Sequence, residues 1–215
     1  EERVPTITAA ANPDLIYDYY GFPPESYQIQ YPAPGEPELA GKVQQALASA
    51  GINSQLSDTR GYDHGVFIPL KIMYPDADIP CIQLSLNHNL NAEDHLAMGK
   101  ALQALDYDNL LILGSGFSFH NMRAFFAPNT PEIRARNQAF EDWLLETCAS
   151  TEMTEADRSD RFANWERAPE ARFCHPREEH LLPLHVCYGW AGKAADKHWT
   201  ANILNKNSGM FYWQV

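Results

Sequence analysis

The chain has 215 residues, 45% of them hydrophobic and 20% charged, enough apolar material for one large domain with a real core. Sixteen Lys and Arg against twenty-eight Asp and Glu leave a formal charge of −12, and no basic run interrupts that excess. Nucleic-acid and anionic-membrane binding are thereby disfavoured. No apolar stretch approaches the ~20 residues of a membrane span.

The chain starts Glu1-Glu2-Arg3-Val4-Pro5, which reads neither as a signal peptide nor as an initiator sequence. Tyr17, Tyr19, Tyr20, Phe22, Tyr27 and Tyr31 then alternate with Pro13, Pro23, Pro24, Pro32 and Pro34. Proline forbids a regular helix there, and the aromatic content argues against disorder, so an ordered loop over a pocket or core is expected. Pro37 to Ala50 has Leu39, Val43, Leu47 and Ala50 at helical steps, with Gly51 as the stop. Ile79 to Leu86 alternates like a strand that begins at Pro80.

Asn91 precedes Asp94 at capping spacing, and Met98, Leu102 and Leu105 supply the apolar stripe of a helix. Asn109 to Leu113 reads as a strand, so strand, helix and strand compose a βαβ unit. Further helices are predicted over Pro131 to Cys148, Thr154 to Trp165, and Glu178 to Trp190 with Pro183 in its first turns. Gly209 to Val215 looks like a closing strand. The predicted architecture is α/β: a single domain over residues 1–215, with a central mixed, largely parallel sheet flanked by helices.

Cys81, Cys148, Cys174 and Cys187 are never closer than thirteen residues, which excludes CxxC redox pairs and Cys-based zinc knuckles. They read as reduced, mostly buried residues of a cytoplasmic protein. Cys174, beside His175 and Arg177, is the one cysteine with an electropositive setting for a nucleophile. No GxSxG elbow supports a serine hydrolase.

Three histidines stand where chemistry would choose them. His64, in Arg60-Gly61-Tyr62-Asp63-His64-Gly65, is either a loop imidazole facing a ligand with a carboxylate to fix its tautomer, or a turn residue bonded locally. His120 follows the predicted strand Leu110 to Leu113 through Gly114-Ser115-Gly116, beyond a strand end, where open α/β sheets bind ligands. The alternative is a tight turn with His120 capping the next helix. This Gly-x-Gly lacks the third glycine of a dinucleotide fingerprint and the Lys-Ser/Thr of a P-loop.

The third is the cluster Cys174-His175-Pro176-Arg177-Glu178-Glu179-His180, ending at His185. Its imidazoles and carboxylates suit Fe(II) or Zn(II). His175, His180 and His185 are spaced by five, not by the four that places two ligands on one helix face, so one of them is expected to bind metal. His185 sits among apolar residues and reads as a core histidine, while His88, His95 and His198 read as surface residues.

Seven segments in order resemble the LigB-type (class III) extradiol ring-cleavage dioxygenases, most closely the DOPA 4,5-dioxygenase branch. They are Tyr17-Asp18 with Gly21-Phe22-Pro23, Tyr31-Pro32-Ala33-Pro34-Gly35, and Tyr62-Asp63-His64-Gly65. Met73 to Pro80, Gln83-Leu84-Ser85, Gly114-Ser115-Gly116 leading to His120-Asn121, and Glu179 to Leu184 complete the set. The resemblance implies an enzyme that opens the ring of a small, DOPA-like catechol with O2, using Fe(2+), with Zn(2+) as the metal alternatively isolated. It implies His180 as a metal ligand and His120 as the acid/base histidine, also counted as a ligand. It implies His64 as a hydrogen-bond partner of substrate or oxygen.

The family carries two further metal histidines upstream, in His-Gly-Ser-Pro and Ser-Ala-His-Trp motifs, and neither motif occurs in this sequence. The expectation is a catalytic domain without its N-terminal strands. The competing expectation is a metal-free relative that keeps the fold and binds a small molecule or a protein.

Overall fold

Backbone pairing organises two sets of elements in the computed structural model, which describes residues 1–215. One unit comprises Glu1–Asn89 with Ala104–Leu111, the other Leu90–Gln103 with Ile112–Val215.

In the first unit, strand β1 (Thr6–Thr8) pairs in parallel with β2 (Gln55–Ser57), Ile7 opposite Leu56. Helix α1 (Pro37–Ser49) covers them. Its sequence explains it: Pro37 stands at the first position and Glu36 accepts the Glu38 N–H. Leu39, Ala40, Val43, Ala46 and Leu47 form the buried stripe. Gly51, at φ 77°, turns the chain out of the helix as expected.

The segment expected as a strand from Ile79 to Leu86 does run beside β1. Thr8 N–H donates to the Gln83 carbonyl and Ser85 N–H to that of Thr6, both at 2.9 Å. It forms isolated bridges and no ladder, because the Thr6 N–H is taken by the Ser85 hydroxyl at 2.9 Å instead of by a main-chain carbonyl. Asn109 to Leu113 likewise has no strand pairing, so the βαβ unit is realised only in its helix.

The aromatic and proline-rich beginning is ordered, as expected, though it holds β1 and a 3-10 turn at Pro24–Gln28. Buried Tyr31, Ala33, Phe67 and Ala77 form a core against which Tyr17, Tyr19 and Ile29 pack. The Tyr31 hydroxyl donates to the Tyr74 carbonyl at 3.0 Å and that of Tyr62 to the Cys81 carbonyl at 2.5 Å. Phe67 belongs to α2 (His64–Met73), a helix that starts at His64, which the sequence suggests lies on a loop or turn. Asp63 caps it, accepting the Gly65 N–H at 3.0 Å.

The second unit begins with α3 (Ala92–Leu102), where Asn91 accepts the Asp94 N–H at 2.9 Å as the capping spacing predicts. After the short α4 (Met122–Phe125), α5 (Pro131–Ala149) starts on a Thr130 cap and buries Phe140, Leu144 and Cys148. Helix α6 (Glu155–Ala163) brings Arg158 under the end of α5. This buried guanidinium bonds the carbonyls of Thr147 and Ser150 and pairs with Glu155 at 3.1 Å. It thus satisfies carbonyls that a helix end leaves orphaned. Next come α7 (Ala171–Cys174) and α8 (Leu182–Ala191), the latter with Pro183 in its first turn as expected.

A hairpin closes the unit: β3 (Lys197–Ile203) runs antiparallel to β4 (Lys206–Tyr212). Leu204 and Asn205 both have positive φ, the backbone of a two-residue hairpin turn. The closing strand therefore starts earlier than Gly209 and has a partner the sequence did not announce. Asn137 of α5 brackets it, donating to the Asn207 carbonyl at 3.0 Å and accepting its N–H at 2.7 Å.

Helices α3 and α8 pack most closely. A Cβ on Gly99 would meet the Val186 carbonyl and stand 2.9 Å from both the Gly189 Cα and the Trp190 nitrogen. All three obstacles are main-chain atoms, so the helices must part. Gly99→Ala is expected to cost about 1–3 kcal/mol of stability, read from the denaturant midpoint against the unaltered chain.

Candidate active site

In the second unit the glycine-rich turn lies flat against the start of α8. The Phe117 N–H donates to the His180 carbonyl at 2.8 Å, and the His120 N–H to the Cys174 carbonyl at 2.9 Å. A Cβ on Gly116 would run into the His180 carbonyl, and one on Gly114 would lie 2.7 Å from the Cys187 sulfur. The glycines are there because nothing larger fits between the two segments. Asn121, rather than His120, caps the following helix, accepting the Ala124 N–H at 3.1 Å and donating to the Phe173 carbonyl at 2.8 Å.

This double anchoring lays the His120 ring over that of His180, with centroids 3.3 Å apart and planes 13° from parallel. Glu179 approaches both: its Oε1 lies 3.3 Å from His180 Nδ1 and 3.8 Å from His120 Nδ1. One donor atom from each of the three residues falls within a 4.8 Å span, and all three side chains are partly exposed. Imidazole and carboxylate are both donor types that non-haem Fe(II) sites use. Histidine spacing alone does not single out Glu179 as a donor, although it directly precedes His180.

The remaining histidines of the cluster are structural. His175 is fully buried and donates from Nε2 to the Ser118 carbonyl at 2.8 Å. Burial drives its pKa down to about 3, so it is neutral at physiological pH. His185 donates from Nε2 to the Phe162 carbonyl at 2.9 Å and is held near 4 by burial, a core histidine as expected. His95 is a correction. It is fully buried, with Nδ1 2.6 Å from the Asn91 carbonyl, because the first turn of α3 faces inward there.

Cys174 is no nucleophile, since burial pushes its thiol far above the usual range. Burial also raises the thiols of Cys81, Cys148 and Cys187, the last to about 11.

His64 belongs to the first unit, at the first position of α2. Its Nδ1 lies 2.7 Å from Asp18 Oδ1, which also accepts the His64 main-chain N–H at 3.1 Å. The neighbouring Asp63 is otherwise engaged: Arg60 pairs with it at 3.0 Å while it caps α2. The structure thus brings His120 and His180 together, and gives His64 a carboxylate partner 46 residues away that no local signal disclosed.

Ser118, two residues before His120, is braced from below. Its hydroxyl donates to Glu141 at 2.5 Å, lies 2.9 Å from the Ser208 hydroxyl, and accepts the Gly209 N–H at 2.9 Å. Burial lifts the Glu141 carboxyl from 4.5 to about 7, against the lowering pull of the Ser118 and Gly209 hydrogen bonds. The folded chain therefore holds this proton where the unfolded chain has released it. Its stabilising contribution is complete below pH 4.5 and disappears as the pH rises to about 7. Glu141→Gln should abolish that part of the pH dependence and leave the variant the more stable by up to about 3 kcal/mol above pH 7, measured by denaturation across pH.

Known proteins resemble this chain over most of its length. The family described as the catalytic LigB subunit of aromatic ring-opening dioxygenase matches residues 2–215. A dioxygenase of Hapsidospora irregularis is 41% identical, the match covering 97% of this chain and 67% of that protein. The 4,5-DOPA dioxygenase extradiol of Beta vulgaris is 37% identical over 98% of this chain and 79% of its own length. That of Escherichia coli K12 is 40% identical, over 87% and 68%. A crystal structure of an uncharacterized Escherichia coli K12 protein superposes with a TM-score of 0.74 at 27% identity, covering 97% of this chain and 79% of that one. Matched from its second residue to its last, this chain belongs to the LigB family of aromatic ring-opening dioxygenases.

Proposed function

We propose that the chain carries part of the metal site of an extradiol dioxygenase that opens the ring of a small catechol with O2. The carrying observation is the convergence of His120, Glu179 and His180. The relatives named 4,5-DOPA dioxygenase extradiol favour a DOPA-like catechol. Fe(2+) suits the His180 imidazole and the Glu179 carboxylate, and Zn(2+) fits the same atoms.

In this reading His180 and Glu179 hold the ion. Bound iron supplies a Lewis-acidic centre at which a catechol and O2 can meet. The stacking of the rings favours a different role for His120. Lone pairs of imidazole nitrogens lie in the ring plane, and nearly parallel planes 3.3 Å apart share no point for one ion. His120 is therefore the proton carrier beside the ligand, taking a hydroxyl proton and returning it. The Cys174 carbonyl on its main chain and the Phe125 and Phe173 rings around adjacent Phe119 fix its position.

Loading the protein with Fe(2+) under anaerobic conditions, then adding O2 and DOPA, should yield a yellow ring-opened semialdehyde. His180→Ala should lose the metal. His120→Ala should keep much of it while turnover falls about 10²–10⁴-fold. A protein that retains no metal in elemental analysis would instead favour the metal-free binding relative.

A further inference from the structure

The Asp18–His64 pair is a directional arrangement. Asp18 is held below its usual pKa: partial burial pushes it up, but the His64 ring and main-chain N–H bonds outweigh that. It is therefore a carboxylate, which can only accept, so His64 Nδ1 carries a proton and, in the neutral ring, Nε2 is the bare nitrogen. Both bonds end on one oxygen, which fixes the ring as well as the tautomer. The imidazole side chain remains 46% exposed. Tyr19 stands edge-on to it at 5.8 Å, and Phe22, itself 58% exposed, stands edge-on to Tyr19 at 5.4 Å. An oriented proton acceptor beside exposed aromatic edges suits a flat ring bearing hydroxyl groups.

We propose that Asp18 is a positioning residue that locks His64 in its Nδ1–H tautomer, leaving Nε2 to accept a hydroxyl proton from a catechol. In that transfer the catechol O–H bond breaks with its electron pair left on oxygen. The proton forms the Nε2–H bond, and Asp18 stays ionised beside the resulting imidazolium. The substrate class rests on the ring-opening reading above; the tautomer does not.

Long-range ¹H–¹⁵N spectra of histidine-labelled, Zn(2+)-loaded protein test both parts. The His64 resonances should show protonated Nδ1 and bare Nε2, and the Nε2 resonance should move on addition of 4-nitrocatechol. Asp18→Ala should mix the tautomers and lower kcat about tenfold or more with KM less affected. Asp18→Asn keeps an acceptor oxygen and should restore the tautomer and most of the rate. Protonated Nε2 in the unaltered protein, an unchanged tautomer in Asp18→Ala, or an Nε2 resonance unmoved by 4-nitrocatechol up to its solubility limit would overturn the proposal. A protein with the expected spectra and no ring-opening activity would keep the pair and remove the reaction.

Discussion

The contact between Phe117 N–H and the His180 carbonyl is the constraint on which the second unit's site depends. Two segments more than sixty residues apart in sequence must approach backbone to backbone, and only Gly114 and Gly116 leave room for it. Once they touch, the next few residues have little choice. Ser118 meets Glu141 and the β4 strand, Phe119 enters an aromatic cluster, and His120 is delivered onto His180. The arrangement places a reactive surface on a braced support, as a site that must hold geometry requires. The cost is paid in a carboxyl, Glu141, that is buried where its charge is poorly solvated.

What was legible in the sequence was local. The start of α3 announced itself because a cap and the residue whose N–H it accepts are three residues apart, as at Asn91 and Asp94. The glycine turn and the histidine cluster from Cys174 to His185 were visible as chemistry, and the family resemblance followed from short motifs in order. Strands were read poorly. Ile79 to Leu86 has the right alternation, but whether alternation becomes a ladder depends on a neighbour's main chain, and Ser85 diverted the bond. The carboxylate partner of His64 was not legible for the same reason: Asp63 is adjacent in sequence, but folding commits it to Arg60 and to the cap, and Asp18 comes from 46 residues away. The inward face of α3 at His95 was missed because polar neighbours masked it.

Each unit settles an imidazole by a different physical device. In the first, a carboxylate fixes the direction of the proton on His64. In the second, ring stacking and main-chain anchoring fix the position of His120, and the nearby carboxylate of Glu179 is shared between two rings. A carboxylate thus lies close to His64, His120 and His180, while the buried His95, His175 and His185 face carbonyls. The distinction between working and structural histidines is one of partner chemistry, not of sequence spacing.

The four cysteines give this arrangement a chemical tolerance. All are free thiols whose pKa values burial raises, so the reactive thiolate is scarce at neutral pH. Members of an aromatic ring-opening dioxygenase family work with dioxygen, and the peroxide that dioxygen chemistry generates seeks thiolates. Here the sulfurs offer little to attack, and none stands near enough in sequence to trap another as a vicinal disulfide. Oxidative wear should therefore fall first on exposed Met73, Met122 and Met210, and leave the thiols intact.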